Sequence, residues 1–231
     1  MKPAAHFQVD SRLATLLGES YRASEYAIKE LIDNSWDADA ENVWITFPSP
    51  LTTDPIIIRD DGSGMTEKEV LNEYLVVAND RRSRKGERTP LKNRLVKGRK
   101  GVGKFAGLMV ANSMTIETKS RGFSTRILIS RDALLQTNKD LERIELPYEV
   151  MECDSKEHGT IITLSSLNQN FTFPNPDRLK QLLILDYGRK PDFKAYVNGE
   201  IIDIEDIPGE SFAEKANLII YNFINMLREP N

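Results

Sequence analysis

The sequence is short of the residues that build covalently or metal-stapled folds. Among 231 residues there is one cysteine, Cys153, and there are two histidines, His6 and His158. A single cysteine excludes an intramolecular disulfide framework and a multi-cysteine zinc site, and two histidines leave no basis for a histidine-rich metal centre. Long hydrophobic runs are missing too. The longest apolar-looking stretch, Leu218 to Leu227, is broken by Asn222 and Asn225 and is too short to span a bilayer. The opening MKPAAHFQVD has no apolar segment of the secretory type. The expectation is a reduced, cytoplasmic protein without a membrane partner. Nor is there a strong excess of one charge: 31 Lys and Arg against 35 Asp and Glu give a formal net charge of −4, which argues against wholesale coating of nucleic acid. What is present, 40% hydrophobic and 29% charged residues, is ordinary for a folded chain with a real core, in one large or two small domains.

The mild net charge conceals a strong asymmetry. From Asp80 to Lys104 there are eleven Lys or Arg and two acids. Such a run reads as a solvated loop, as a nucleic-acid patch, or as a loop that closes over a polyanion. Around it, hydrophobic spacing predicts a short helix over Ser11 to Leu17 and a longer one over Tyr21 to Ala40. Strands are expected at Val43 to Phe47 and at Ile56 to Ile58. Thr66 to Glu69 forms a capping box that opens a helix to about Val77. A glycine-rich turn then precedes a helix over Val102 to Met109. Further strands are expected at Met114 to Lys119, Ser124 to Ser130, Ile144 to Met151 and Thr160 to Leu164. A helix follows over Pro176 to Leu185. Asn198-Gly199 marks a hairpin between Phe193 to Val197 and Ile201 to Ile204, and Phe212 to Leu227 reads as a terminal amphipathic helix. Helices mixed with hairpin-linked strands predict an α+β sandwich rather than a parallel array.

Four segments carry chemistry. On the long helix, Glu30, Asn34 and Asp37 lie at i, i+4 and i+7 on one face, with Asp33 at its edge. A carboxylate one turn from an amide can accept a proton from water while the amide oxygen ligates Mg²⁺. Asp60-Asp61-Gly62-Ser63-Gly64-Met65 ends a buried strand. A carboxylate there can accept a hydrogen bond from an exocyclic amine, glycines let a flat ring approach, and Met65 offers a soft surface. Gly98 to Phe105 nearly fits the P-loop pattern GxxxxGK(S/T), but Phe105 stands where the hydroxyl is required and no apolar strand precedes it. What survives is a glycine-rich turn whose amides face an anion, with Lys100 and Lys104 adding charge. Finally, His158-Gly159-Thr160 opens a strand on which Thr160 could face a polar ligand.

In this order the four segments resemble the motifs of the GHKL ATPase superfamily, whose members include gyrase B, the ninety-kilodalton heat-shock chaperone, histidine kinases and MutL. Glu30-Leu31-Ile32-Asp33-Asn34-Ser35-Trp36-Asp37-Ala38 is similar to the family's E-L-x-x-N-x-x-D-A box, Asp60 to Gly64 to its D-x-G-x-G motif, Gly98 to Gly103 to its glycine box, and Gly159-Thr160 to its late Gly-Thr strand. The resemblance spans roughly Phe7 to Leu164. It implies a Bergerat fold: a two-layer α/β sandwich with a mixed, mostly antiparallel sheet, helices on one face, and ATP between them. It further implies Glu30 as the base that activates water and Asn34 as the ligand of Mg²⁺. Asp37 would support the helix motif. Asp60 would read the adenine amino group with Thr160 in support, and Gly62, Gly64 and Met65 would line the base pocket. The box from Lys100 through Gly101, Val102, Gly103, Lys104 and Phe105 would lie on the phosphates, with Lys104 and Lys100 the best candidates for the γ-phosphate, ahead of Arg84 and Lys85.

On this resemblance residues 1–210 form the ATP-binding domain, with a lid over about 79–104, and residues 211–231 form a helix that could begin a linker to an effector region. Glu30 favours the hydrolysing branch, close to chaperone-like and MORC-like proteins, with lid closure and a homodimer in the ATP-bound state. The alternatives are a nucleic-acid-binding module that uses the basic run at 81–104 with ATP as a regulatory ligand, and a histidine-kinase-type phosphotransferase. Client folding, a DNA transaction and defence all remain open as the output.

Overall fold

The computed structural model describes residues 4–6 (backbone only), 24–49, 51–76, 86–98, 103–135, 145–167 and 174–203. The expected helices at Ser11 to Leu17 and Phe212 to Leu227 lie outside the described residues, as do Arg84, Lys85, Lys100, Gly101 and Val102.

Helix α1, Ser24–Asp37, forms because Ala27, Ile28, Leu31 and Ile32 recur at helical spacing, and all four are fully buried. Strand β1 is Ala4–His6, β2 Asn42–Thr46 and β3 Ile56–Asp60. The capping box at Thr66 is present in full: Thr66 N donates to Glu69 Oε2 at 2.8 Å, and Glu69 N donates to Thr66 Oγ1 at 3.3 Å. It opens α2, Glu67–Glu69, which widens into a π turn over Val70–Tyr74, closed by Leu75 N on Val70 O at 3.0 Å. The helix expected over Val102 to Met109 is broken into a 3-10 turn, Gly103–Phe105, and α3, Gly107–Val110. Strands β4, Ala111–Ser120, and β5, Phe123–Ser130, form the expected hairpin and lead to α4, Arg131–Leu135. Then come β6, Glu145–Glu152; β7, Gly159–Leu167; α5, Pro176–Tyr187; β8, Lys194–Val197; and β9, Glu200–Ile201. Asn198 and Gly199 both take the left-handed conformation that their hairpin requires.

The nine described strands form one sheet in the order β1-β6-β5-β4-β7-β3-β2-β8-β9. Every pairing is antiparallel except β2 with β8. This is the α+β, mixed and mostly antiparallel architecture that the sequence predicts. Alternate side chains of the strands, among them Val43, Ile58, Ile116, Ile127 and Ile162, face the helices and share one core with α1, α3 and α5. On the outer face Trp44 stacks on Tyr196 with ring centroids 5.8 Å apart, and Arg59 lies 5.1 Å from the Trp44 centroid. No helix among the described residues is long and apolar enough to cross a membrane.

The described part of the basic run, residues 86–98, is not a free loop. It folds back on itself through Thr89 N to Arg94 O and Val96 N to Glu87 O. Asp39, just past α1, accepts from Leu91 N at 2.9 Å and Lys92 N at 3.2 Å. Arg94 is only 6% exposed. Its guanidinium donates to Ala40 O and to Asp192, and lies 4.4 Å from the Trp36 ring centroid.

Replacing Leu31 by Ala at the centre of the helix–sheet contact should cost about 2–5 kcal/mol. Leu185→Ala, at a side chain 78% exposed on α5, should change stability by less than about 0.5 kcal/mol. Denaturant midpoints at unchanged slope measure both.

Candidate nucleotide site

The register of the sheet sets the first half of the site. Asp60 pairs with Thr160, and Thr160 with Thr118, so one carboxylate and two hydroxyls stand side by side beneath the C-terminal half of α1. Asp60 Oδ1 accepts from Gly62 N at 3.0 Å and Thr160 N at 3.1 Å, and Oδ2 accepts from Ser35 Oγ at 2.9 Å. Three donors on two oxygens leave room on Oδ2 for one more, the position an exocyclic amine would take. Burial pushes the Asp60 carboxyl up to about 6, against the hydrogen bonds from Gly62, Ser35 and Thr160 that favour its charged form. Its neighbour Asp61 behaves differently. Burial raises that group too, but donors from Asn42 and Glu41 outweigh it and hold the carboxyl below its usual range. Asp61 therefore fastens the start of β2, while Asp60 faces the site.

The turn after Asp60 is built for close approach. Gly64 has φ +62, and a Cβ there would collide with the Lys119 carbonyl. Met65 N donates to Thr118 Oγ1 at 2.9 Å, and Thr118 and Thr160 share a hydroxyl contact of 3.1 Å. His158 Nδ1 lies 2.9 Å from Gly62 O, so that nitrogen carries the proton. Ser35 and Thr118 are not singled out by the sequence. Ser35 sits inside the helix motif and is recognisable only once α1 is laid over β3. Thr118 is brought in by strand register, for which the sequence has no local signal.

The second half of the site lies along α1 toward its N-terminus. Glu30 abuts the glycine turn: a Cβ at Gly103 would collide with Glu30 Oε2. Asn34, one turn on, has its amide nitrogen buried with no hydrogen-bond partner among the described residues, a poised polar group beside that carboxylate. Asp37 accepts from Lys97 N at 2.8 Å and Gly98 N at 3.0 Å, so its carboxylate holds the entrance to the glycine box. Asp33 turns away from the site. It accepts from Tyr187 Oη and from Lys29 Nζ.

Two residues of the glycine box are held by contacts within the chain. Phe105 is fully buried in the core, edge-on to Tyr74 with centroids 5.8 Å apart, so it anchors the turn from beneath. Lys104 Nζ donates to Glu73 O at 3.1 Å and Val76 O at 2.7 Å. Among the described residues no cluster of His, Cys, Asp and Glu could by itself hold a metal ion.

Residues 21–160 match the family described as histidine kinase-, DNA gyrase B-, and HSP90-like ATPase. The chain is also similar to the chaperone protein HtpG of Pasteurella multocida, at 27% identity over 198 residues that cover 76% of this chain and 30% of the relative. It is similar to HtpG of Chlorobium phaeobacteroides, at 26% over 212 residues, 83% of this chain and 32% of the relative. A third relative is the putative type II restriction enzyme HgiDII of Herpetosiphon aurantiacus, at 28% over 142 residues, 61% and 22%. The chain thus spans at most about a third of the length of these relatives.

The raised carboxyl of Asp60 has a measurable consequence. Its proton is held more tightly in the folded state than by an ordinary exposed aspartate, whose pKa is about 4. The stability it contributes is therefore complete below about pH 4 and is lost as pH rises through about 6. Relative to Asp60→Asn, the wild type should lose on the order of 3 kcal/mol between pH 4 and pH 7. Parallel stability curves for the two proteins would refute the assignment.

Proposed function

The chain belongs to the histidine kinase-, DNA gyrase B-, and HSP90-like ATPase family, and on that premise we propose that it binds Mg-ATP and hydrolyses it with Glu30 as general base. The observation that carries this reading is the contact between Glu30 and the glycine turn at Gly103. It supports a carboxylate beside the glycine turn, one to two turns of α1 from Ser35, which bonds Asp60.

Asp60 accepts the exocyclic amine of adenine on Oδ2, while Ser35, Gly62 N and Thr160 N hold the carboxylate in place. Thr160 and Thr118 supply hydroxyls beside the ring, and Gly62, Gly64 and Met65 form the edge against which it lies. The triphosphate runs along α1 toward Glu30. Asn34 would hold the magnesium ion through its carboxamide oxygen, and the ion, when bound, supplies charge neutralisation of the phosphates. The amide of Gly103 faces the phosphates, and the motif assigns Lys100, Gly101 and Val102 to the same role. Glu30 takes a proton from the attacking water as its oxygen bonds to the γ-phosphorus and the bond to the bridging oxygen breaks, which yields ADP and inorganic phosphate. The run over about 79–104 acts as a lid, and ATP-bound chains pair as homodimers. The similar proteins include HtpG chaperones of several organisms at 25–29% identity, which favours a chaperone-like cycle on a protein client over a restriction-type one.

The nucleic-acid reading is disfavoured by what the described cations of the basic run do. Lys92 pairs with Glu41 at 2.7 Å, Arg94 with Asp192 at 2.8 Å and Lys97 with Asp186 at 3.3 Å, which leaves less free charge for a phosphate backbone.

Glu30→Ala should lower ATP turnover by about 10²–10⁴-fold with Mg-ATP affinity by titration calorimetry within a few-fold of wild type. Equal turnover would remove Glu30 as the base. Size-exclusion chromatography with and without a non-hydrolysable ATP analogue reads the dimer, and an unchanged elution volume at saturation would remove that part of the reading.

A further inference from the structure

Resting on the ATP reading above, we propose that Lys104 is a positioning residue and not a phosphate ligand: with Tyr74 it braces the two segments that flank the basic run and so sets Gly103 against Glu30. The contacts are reciprocal. Tyr74 Oη donates to Lys104 O at 3.1 Å, while Lys104 Nζ donates to Glu73 O at 3.1 Å and Val76 O at 2.7 Å. Those two carbonyls lie at the end of the π turn, where backbone acceptors lack helical partners and the peptide dipoles favour a cation. The ammonium also lies 5.5 Å from the ring centroids of Tyr74 and of Phe105, close enough for both ring faces to attract it. Two of its three N–H donors are given to carbonyls.

The brace bears directly on the site. Glu73 and Val76 stand just before the basic run and Lys104 closes it. The 3-10 turn is pinned from below by the buried Phe105 ring, from the side by Tyr74 on the Lys104 carbonyl, and across the gap by the Lys104 ammonium. Its first residue is Gly103, which touches Glu30. Loosening the turn moves the backbone against which the base is set, and displacement of a catalytic group by a fraction of an ångström to an ångström is enough to slow a reaction strongly. Burial holds the Tyr74 phenol well above its usual pKa, so it stays a neutral donor.

The test uses the 231-residue chain with Lys104→Met, Tyr74→Phe and the double variant, measuring kcat for ATP and separate dissociation constants for Mg-ATP and Mg-ADP. The expected pattern is a fall in kcat of about tenfold in each single variant. ATP affinity should stay within about threefold, with an unchanged ATP-to-ADP affinity ratio. The double variant should be about as slow as the slower single one, since the two side chains serve one brace. A Lys104→Met protein that binds ATP about tenfold or more weaker while ADP binding is unchanged would make Lys104 a γ-phosphate ligand and overturn the proposal, as would a Tyr74→Phe protein with wild-type kcat. Tyr74→Phe removes one oxygen and keeps the ring, so it decides the matter even if Lys104→Met does not fold. A wild type that neither binds nor hydrolyses ATP overturns the ATP reading and this proposal with it. A wild type that turns ATP over, with variants outside the expected pattern, overturns this proposal alone.

Discussion

The buried carboxylate of Asp60 is the point on which the rest of the site depends. It is 8% exposed, and a charge so placed is tolerable only when it is fully hydrogen-bonded. Its three donors come from three different pieces of chain: Ser35 on α1, Gly62 in the turn after β3, and Thr160 on β7. Satisfying one carboxylate therefore fixes the helix over the sheet, the curvature of the glycine turn and the start of the neighbouring strand together. The same burial that makes the group costly also raises its pKa, so the feature that holds the architecture is chemically poised as well. Asp61, one residue on, is less deeply buried, and its donors from Asn42 and Glu41 fasten a strand.

A second constraint is electrostatic. A run with eleven cations and two acids would repel itself in isolation, and the described portion is held by acids placed elsewhere in the chain. Asp39 and Asp37, at the end of α1, hold its backbone at 91–92 and at 97–98. Asp192, Glu41 and Asp186 neutralise its side chains. The acidic surplus of the body is thus in part the counterpart of this run. The ion pairs at the surface contribute little singly. The buried Arg94, between Trp36 and Phe193, also donates to the Ala40 carbonyl and contributes more to fixing the segment.

These two constraints explain what was legible in the sequence. Elements defined by local chemistry were readable: the capping box at Thr66, the Asn198-Gly199 hairpin, the apolar stripe of α1, and the four motif segments with Glu30, Asn34 and Asp60 in their order. What depended on distant pairing was not. Ser35 and Thr118 enter the site through packing and register. Asp33, read as the edge of a polar stripe, is drawn inward by Tyr187, 154 residues away in sequence. The helix expected from Val102 is interrupted because Gly103 must pass close to Glu30 and Phe105 must reach the core, demands that helix propensity does not register. Lys104 was read by its charge, whereas its ammonium is directed by carbonyls and rings contributed from the far side of the run.

The same logic extends to the opposite end of the glycine box. Lys97 lies 3.6 Å from the Tyr187 ring centroid and is shared between Asp186 and Asp33, while its own backbone N–H is held by Asp37. Burial lowers the Lys97 pKa, and the charge of Lys29 lowers it further, although Asp33 and Asp186 oppose this. Lys29 starts from the same burial penalty, but its bonds to Asp186 and Asp33 outweigh it and leave its pKa raised. Two cations and two carboxylates are therefore interlocked, with the better-bonded cation on α1 and the worse-bonded one on the segment that leads into the glycine turn.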